Sequence, residues 1–265
     1  MLELTRTVRF TPTARPRVAG ATTPSASNGL LGVVPPSMLF GVLELDVTCA
    51  GEPDATGYLV DIALVDRAVR DHVVPLFDGA LRAEAMGARP VGTGALLTSA
   101  QRALGALLPA PIVRLVLRPS PFLSTTFEPA MPNAVVLSET FEFAASHRLH
   151  LATRSDEENA RLFGKCNNPN GHGHNYRIEV AVEADADGDF GFPALERLVA
   201  REIMGRFDHR HLNLDCPEFR DLNPSVENIA RVCHGLLAPE VAAAGATLRF
   251  VRVWETDKTS CRYPA

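Results

Sequence analysis

Alternation of apolar and polar residues marks the strands in the second half of the chain. Residues 134–146 carry Phe141 and Phe143 on either side of Glu142, and residues 174–183 alternate apolar and polar positions throughout. Successive side chains of a strand point to opposite faces of a sheet, so this period of two predicts two half-buried strands.

Helical spacing follows the second of these strands. Residues 193–207 place apolar side chains at intervals of three and four, which predicts an amphipathic helix. Asn223 and Pro224 are predicted to open the next helix, with asparagine as the N-cap and proline in the first position. Residues 247–255 and 259–263 return to the strand pattern and end the chain.

The first half of the chain repeats this order of elements. Three pairs of segments align at a nearly constant spacing: residues 4–10 with 137–143, 65–78 with 195–208, and 113–130 with 248–265. A fixed spacing between similar segments indicates an internal duplication. We predict one unit over residues 1–130 and a second over residues 134–265, with a proline-containing linker at about residues 127–133.

Each unit is predicted as strand, strand, helix, helix, strand, strand, which gives an α+β fold. The four strands would form an antiparallel sheet with the two helices on one face. Such a sheet has open edges, and we expect it to close into a barrel with copies of itself on oligomerisation.

Composition narrows the class of protein. The chain has 265 residues, 46% of them hydrophobic, and a net charge of -5, which argues against a nucleic-acid binder. We expect no membrane partner, because no apolar run is long enough to span a bilayer. The first residues lack the apolar core of a signal peptide, and the five cysteines are widely spaced. We therefore expect reduced thiols and a cytoplasmic protein.

Histidines concentrate in the second half and suggest a metal site. His172 and His174 flank one glycine, so on a strand both rings would project from the same face. His147, at the end of the preceding strand, is the candidate third ligand, and His150 is a weaker one. Three neutral imidazoles with one open position are typical of catalytic zinc, although iron or nickel would also accept them.

Acid–base groups lie close to these histidines in the sequence. Cys166 is in a loop just before them, and a thiol near a cation can act as a base in its thiolate form. Asp208 and His209 follow a predicted helix, and a carboxylate can orient an imidazole and support its charge. His211 on the same loop is a competing choice for His209.

Five motifs, taken together, resemble the family of 6-pyruvoyl-tetrahydropterin and 6-carboxytetrahydropterin synthases. The resemblance covers residues of about 135–265, and the motifs are Ser146-His147, "KCNNPNGHGHNY", "FDHRHLNLD", "NPSVENIA" and "WETDKTSCRY". It implies the tunnelling fold (T-fold) for each unit. It also implies zinc bound by His147, His172 and His174, and a catalytic triad of Cys166, Asp208 and His209.

The resemblance further implies a pterin pocket. Glu255 would anchor the ring, because a carboxylate accepts two parallel hydrogen bonds from the 2-amino-4-oxo edge of a pterin. Thr256 and Ser225 would help line the pocket, and Ser225 stands where threonine is common in the family.

The implied reaction is a lyase reaction on 7,8-dihydroneopterin triphosphate, with loss of triphosphate. The leading product is 6-carboxytetrahydropterin, for deazaguanine (queuosine-type) biosynthesis, and the alternative is 6-pyruvoyl-tetrahydropterin. Two further classes are a two-unit nitrile reductase of the same fold and a non-catalytic zinc- or pterin-binding scaffold.

The first unit departs from the family pattern. Ala14, Gly79 and Ser120 align with His147, His209 and Glu255, and no His-x-His precedes its second strand. We predict that this unit keeps the fold and has lost the zinc and pterin chemistry. The resemblance implies a homo-oligomer, in which a trimer of two-unit chains would imitate the usual hexamer, or a higher assembly.

Overall fold

The computed structural model describes residues 1–14 and 41–265, which fall into two units. The first unit comprises Met1–Val136 with Asp185–Asp189. Its strands follow one another in the sheet in chain order, each antiparallel to the next. The elements are β1 (Leu2–Phe10), β2 (Leu43–Gly51), α1 (Ile62–Ala68), α2 (Val74–Ala85), α3 (Thr93–Gly105), β3 (Ile112–Ser120) and β4 (Leu123–Phe127).

Helix starts in the first unit follow from local chemistry. The Asp61 side chain accepts a hydrogen bond from the Ala63 amide and caps α1, and Pro75 occupies the first turn of α2. Helix α3 packs against β3 and β4. The core between helices and sheet includes the fully buried side chains of Leu45, Leu97 and Leu104.

The second unit comprises Leu137–Ala184 and Phe190–Ala265. Its sheet has the order β5-β6-β8-β9, with a short β7 parallel to β5, and β8 is antiparallel to β6 and β9. The elements are β5 (Ala134–His147), α4 (Asp156–Phe163), β6 (His172–Asp185), α5 (Phe192–Val199), α6 (Gly205–Phe207), β7 (Arg210–His211), α7 (Leu212–Asp215), α8 (Val226–Ala243), β8 (Thr247–Thr256) and β9 (Thr259–Tyr263).

The predicted α+β class with an antiparallel sheet is confirmed, and two details of the second unit differ. The Asn223–Pro224 start of the last helix is wrong: Ser225 is the N-cap, and its hydroxyl accepts a hydrogen bond from the Asn228 amide. Asn223 instead accepts a hydrogen bond from the backbone amide of His150. Helix α4 was not predicted, although Ser155 and Glu158 form a capping box at its start.

Both units interrupt their first long helical segment with one π-helical turn. The turns are Val69–Val73, between α1 and α2, and Ala200–Met204, between α5 and α6. A π turn is rare, because it inserts one extra residue into the helical hydrogen-bond pattern. Its recurrence at matching places in the two units supports their duplication.

A second shared feature follows each π turn, where a Phe-Asp pair contacts the first strand of its own unit or the residues just after that strand. In the first unit Phe77 contacts Phe10 with ring centroids 5.3 Å apart, and Asp78 accepts a hydrogen bond of 2.8 Å from the Thr13 amide. In the second unit Phe207 contacts Phe143 at 6.4 Å, and Asp208 accepts a hydrogen bond of 2.9 Å from the Ala144 amide. The helix and the strand are therefore joined in the same way in both units.

Among the helices of the described chain, none has the length and apolar character needed to cross a membrane.

The buried side chain of Glu139 predicts that the stability of the folded protein depends on pH. Glu139 in β5 is 7% exposed, and within residues 1–14 and 41–265 its Oε2 has no hydrogen-bond partner. Burial, followed by the neighbouring Glu196, raises the pKa of Glu139 from 4.5 to about 7. The folded state therefore favours the protonated acid. The stability contributed by the protonated acid is fully present below about pH 4.5 and is lost as the pH rises to about 7.

Glu139→Gln removes this titration. As the pH rises from 4.5 to 8, the free energy of unfolding of the variant should increase relative to wild type by on the order of 1–2 kcal/mol. Chemical denaturation at each pH measures this difference. Glu142→Gln, at an exposed position of the same strand, is the matched control. A constant difference between Glu139→Gln and wild type across this pH range would contradict the assignment.

Candidate active site

Three histidines converge where β5 ends and β6 begins. His147 is the last residue of β5, and His172 and His174 stand on either side of Gly173 at the start of β6. One ligand atom from each residue lies within 4.8 Å of the other two. The Nε2 atoms of His147 and His172 are 3.1 Å apart. This cluster could hold a metal ion.

His147 is oriented by the backbone behind it. The ring is fully buried, and its Nδ1 lies 2.7 Å from the Pro224 carbonyl oxygen, to which it donates a hydrogen bond. This tautomer leaves the lone pair on Nε2, which is how metal-binding histidines are usually held. Burial lowers the pKa of His147 to about 4, against the opposing effect of the Pro224 hydrogen bond. The imidazole is therefore neutral at pH 7.

The other two rings also favour a cation. Burial, and then the neighbouring His174, lower the pKa of His172. The buried His172 Nδ1 and His174 Nε2 have no hydrogen-bond partner in the part of the chain that the structure describes. Two Nε2 atoms at 3.1 Å need a proton or a cation between them. The donor set therefore fits a metal that accepts imidazole ligands.

Glu255 lies beside the cluster. Its Oε1 is 3.4 Å from His147 Nε2 and 3.8 Å from His174 Nε2, so the carboxylate adds a negative charge at the ligand atoms. Tyr176 closes the other side, with its hydroxyl 3.4 Å from His147 Nδ1. Burial, and then the charges of Glu255 and Cys166, raise the pKa of the Tyr176 hydroxyl, which stays protonated.

Asparagine side chains hold the loop that follows His147. Asn213 binds both backbone polar groups of one residue: its Oδ1 accepts from the Arg148 amide at 2.8 Å, and its Nδ2 donates to the Arg148 carbonyl at 3.0 Å. Asn223 accepts from the His150 amide at 3.1 Å. These asparagine side chains supply the hydrogen bonds that a neighbouring strand would otherwise give to this part of the backbone.

Two more asparagines continue this pattern. Asn167 donates to the Leu149 carbonyl at 2.9 Å, and Asn159 binds both the amide and the carbonyl of Leu151, at 2.8 Å and 2.9 Å. Asn159 is fully buried. The sequence analysis assigned this role to none of the four asparagines. It interpreted Asn223 as an N-cap, and Asn167 and Asn213 lie within the motifs it quoted.

The backbone of Cys166 is bound to the loop that follows His147. The residue belongs to a 3-10 turn, Gly164–Asn167, and is half-buried. Its carbonyl oxygen accepts a hydrogen bond of 2.9 Å from the Leu149 amide, two residues after His147. The thiol is near enough to Tyr176 for a charge on its sulfur to affect the pKa of that hydroxyl.

Asp208 and His209 form a pair. Oδ1 of Asp208 accepts from the Ala144 amide, and its Oδ2 lies 3.0 Å from His209 Nδ1. The Ala144 amide, followed by His209, lowers the pKa of Asp208. The His209 ring is 82% exposed, and the residue has a left-handed φ of 57°. Within the described chain, no hydrogen bond or ion pair joins this pair to the Cys166 sulfur.

The competing histidine, His211, occupies a different position. It is in β7, and a Cβ added to Gly171 would be 2.7 Å from its Nε2 and 3.0 Å from the His147 carbonyl oxygen. Gly171 has a φ of 73°, which favours glycine. His211 therefore packs against the corner that leads into His172.

The remaining candidates have local roles in the described contacts. Ser225 caps α8. Thr256 is the last residue of β8, and its Oγ1 accepts a hydrogen bond of 3.2 Å from the Lys258 amide. Ser225 lies just before α8 and Thr256 at the end of β8, and neither residue is buried.

Fold and site together define an α+β protein with a metal-type centre of three histidines. The family model described as "6-pyruvoyl tetrahydropterin synthase" matches residues 136–265. The human protein named 6-pyruvoyl tetrahydrobiopterin synthase is 40% identical over 131 residues, which are 48% of this chain and 89% of the human protein. The chain therefore belongs to the 6-pyruvoyl tetrahydropterin synthase family.

Other relatives match the same half of the chain. The Dictyostelium discoideum protein of the same name is 34% identical over 135 residues, 50% of this chain and 98% of that protein. The solved structure of Caenorhabditis elegans 6-pyruvoyl tetrahydropterin synthase is 30% identical, covers 50% of this chain and 96% of its own, and has a TM-score of 0.44.

The asparagine contacts lead to a prediction about the metal site. Asn213→Ala leaves the Arg148 amide and carbonyl without their partner, and we expect it to lower the free energy of unfolding by about 1–3 kcal/mol. Metal affinity should fall about tenfold or more, because the peptide after His147 loses its support. Calorimetric metal titration and denaturant unfolding measure the two effects.

Asn213→Asp tests the same contact in a graded way, since it keeps the acceptor for the Arg148 amide and loses the donor. Its effect should lie between those of wild type and Asn213→Ala. Asn170→Ala, on an exposed loop position, is the control. Equal metal affinities for Asn213→Ala and Asn170→Ala would refute a positioning role.

Proposed function

We propose that this chain is a zinc-dependent lyase that acts on 7,8-dihydroneopterin triphosphate and releases triphosphate. The observation that carries the proposal is the cluster of His147, His172 and His174, in a chain that belongs to this family. Zinc is the ion proposed because three neutral imidazoles with an open position suit it. When bound, it would supply a Lewis acid that acidifies the hydroxyl-bearing side chain of the substrate.

The product is the finer part of the proposal. The relatives carry the name of the 6-pyruvoyl enzyme, and this favours 6-pyruvoyl-tetrahydropterin. The 6-carboxytetrahydropterin product of the queuosine-type reaction is the second candidate. Both begin with proton removal from the same side chain, so the same protein groups serve either product.

Cys166 is proposed as the base. Its thiol is half-buried, and it is near enough to the neutral Tyr176 hydroxyl for its charge to affect the pKa of that group. As a thiolate it would take a proton from a side-chain carbon or hydroxyl of the substrate. A nearby cation stabilises the thiolate form that this step requires.

Asp208 and His209 are proposed as the proton relay. Asp208 Oδ2 holds His209 Nδ1, which leaves Nε2 of this exposed ring available to exchange a proton. Support by a carboxylate is the usual way to orient such an imidazole. Since the pair does not contact the Cys166 sulfur within the described chain, we propose that a homo-oligomer completes the site.

The first unit is proposed as a degenerate copy that supports this assembly. It shares the π turn and the Phe-Asp packing with the second unit. Ala14, Gly79 and Ser120 stand where the second unit has His147, His209 and Glu255. Three chains would supply six such units, so a trimer is the simplest closed assembly that we propose.

Replacement of the base separates binding from turnover. We expect Cys166→Ala to retain stoichiometric zinc and to lose about 10²–10⁴-fold in turnover, because only the proton transfer is removed. Zinc content is measured by elemental analysis, and products from 7,8-dihydroneopterin triphosphate by mass spectrometry, which also identifies the product. Cys261→Ala, in β9, is the control. Full activity in Cys166→Ala would remove the thiolate from the reaction.

Glu255 is proposed to anchor the pterin, with Thr256 and Ser225 beside it. Glu255→Gln should then raise KM about tenfold or more, since a neutral amide forms weaker hydrogen bonds to the pterin edge. Zinc stoichiometry should not change. Loss of zinc with unchanged KM would make the carboxylate a metal ligand, in line with its 3.4 Å approach to His147.

A further inference from the structure

A cavity of about 470 Å³ lies in the second unit, and His211 in its lining also lines the depression that contains His174. Arg148, one of its lining residues, follows His147 directly in the chain, and Pro169 belongs to the loop that leads into His172. None of the three clustered histidines lines the cavity, but these two lining residues lie within three positions of them in the chain. Apolar side chains form much of its wall, among them Leu151, Phe219 and Leu222.

The polar lining of this cavity is cationic in character. Two arginines, Arg148 and Arg220, and two histidines, His150 and His211, face one acid, Asp221. Arg220 is exposed and forms no ion pair in the described chain. Such an excess of arginine in a concave, partly apolar site raises the local concentration of anions.

Arg148 is held in place as a preorganised donor. Its Nε donates to the Asn167 carbonyl at 3.0 Å, and its Nη2 donates to Asn167 Oδ1 at 2.9 Å. A guanidinium has five N–H donors, so these two contacts fix its plane and leave further donors for a ligand or water. The cost of ordering this side chain is therefore met before an anion binds.

His211 adds a donor on the opposite side. Its ring lines this cavity and also the neighbouring depression that contains His174 and His209. Its buried Nδ1 lacks a hydrogen-bond partner in the described residues. A buried polar atom without a partner is costly. Because this atom has almost no accessible surface, the ring would have to turn toward the cavity before a ligand oxygen could satisfy it.

We propose that this cavity is a polyphosphate subsite, in which Arg148, Arg220 and His211 bind the phosphate chain of the substrate. The inference rests on the proposed function for the identity of the substrate. Arginine binds phosphate oxygens in a bidentate manner, which makes it the typical residue for such a site. Since His211 lines both this cavity and the depression that contains His174, a ligand with its hydroxyl-bearing carbons at the cluster would place its phosphates here.

The test uses inorganic tripolyphosphate as the probe and the zinc-loaded full chain as the protein. Calorimetry gives its Kd, and zinc content is checked after each titration because polyphosphate chelates metals. We expect Arg220→Gln to weaken binding about tenfold, the loss of one charge-assisted contact. Arg161→Gln, at an exposed position of α4 outside the cavity, should leave the Kd unchanged.

Asp221→Asn is expected to have the opposite effect. It removes the acid from the lining, so tripolyphosphate should bind several-fold more tightly. In turnover, Arg220→Gln should raise KM with a small change in kcat, because the arginine contacts only the phosphates. Unchanged Kd values in both Arg220→Gln and Asp221→Asn would overturn the subsite.

The failure of this inference differs from the failure of the proposed function. Turnover of the pterin triphosphate with a tripolyphosphate Kd that does not depend on Arg220 would refute the subsite alone. Arginine-dependent tripolyphosphate binding without any turnover would support the subsite and refute the lyase proposal.

Discussion

The hydrogen bond from His147 Nδ1 to the Pro224 carbonyl joins the two parts of the second unit that the site requires. It connects the end of β5 to the segment before α8, and both groups are buried. By fixing the tautomer, it makes Nε2 the metal-facing atom. Asn213 and Asn223 hold the loop that follows His147. Asn223 directly precedes Pro224 in the chain, so the same segment supports both the ring and the loop.

Comparison of the two units separates what the fold needs from what the chemistry needs. The π turn, the Phe–Phe contact and the aspartate that accepts a backbone amide occur in both. The three clustered histidines and Glu255 have no counterparts at the aligned positions of the first unit. The two carboxylate oxygens of Asp208 therefore have different partners. Oδ1 accepts a backbone amide, as Asp78 does in the first unit, and Oδ2 holds His209.

The sequence was sufficient for the α+β class and for the strands, because period-two alternation depends on local burial. Residues 172 and 174 on one strand face also followed from spacing alone. The start of α8 was wrong, because the choice between Asn223 and Ser225 as N-cap depends on a tertiary contact: Asn223 is bound to the His150 amide. The separation of Cys166 from His209, and the cavity beside Arg148, depend on loop conformations that no periodicity encodes.

Gly171 limits how such a centre can be rebuilt. Its left-handed backbone and the 2.7 Å approach of His211 Nε2 leave no room for a side chain at the corner that leads into His172. In the first unit, Gly41 precedes β2 without a positive φ. Histidines introduced into the first unit would therefore lack the corner that aims them. A metal site in the first unit would therefore require a glycine with this backbone conformation as well as the three histidines.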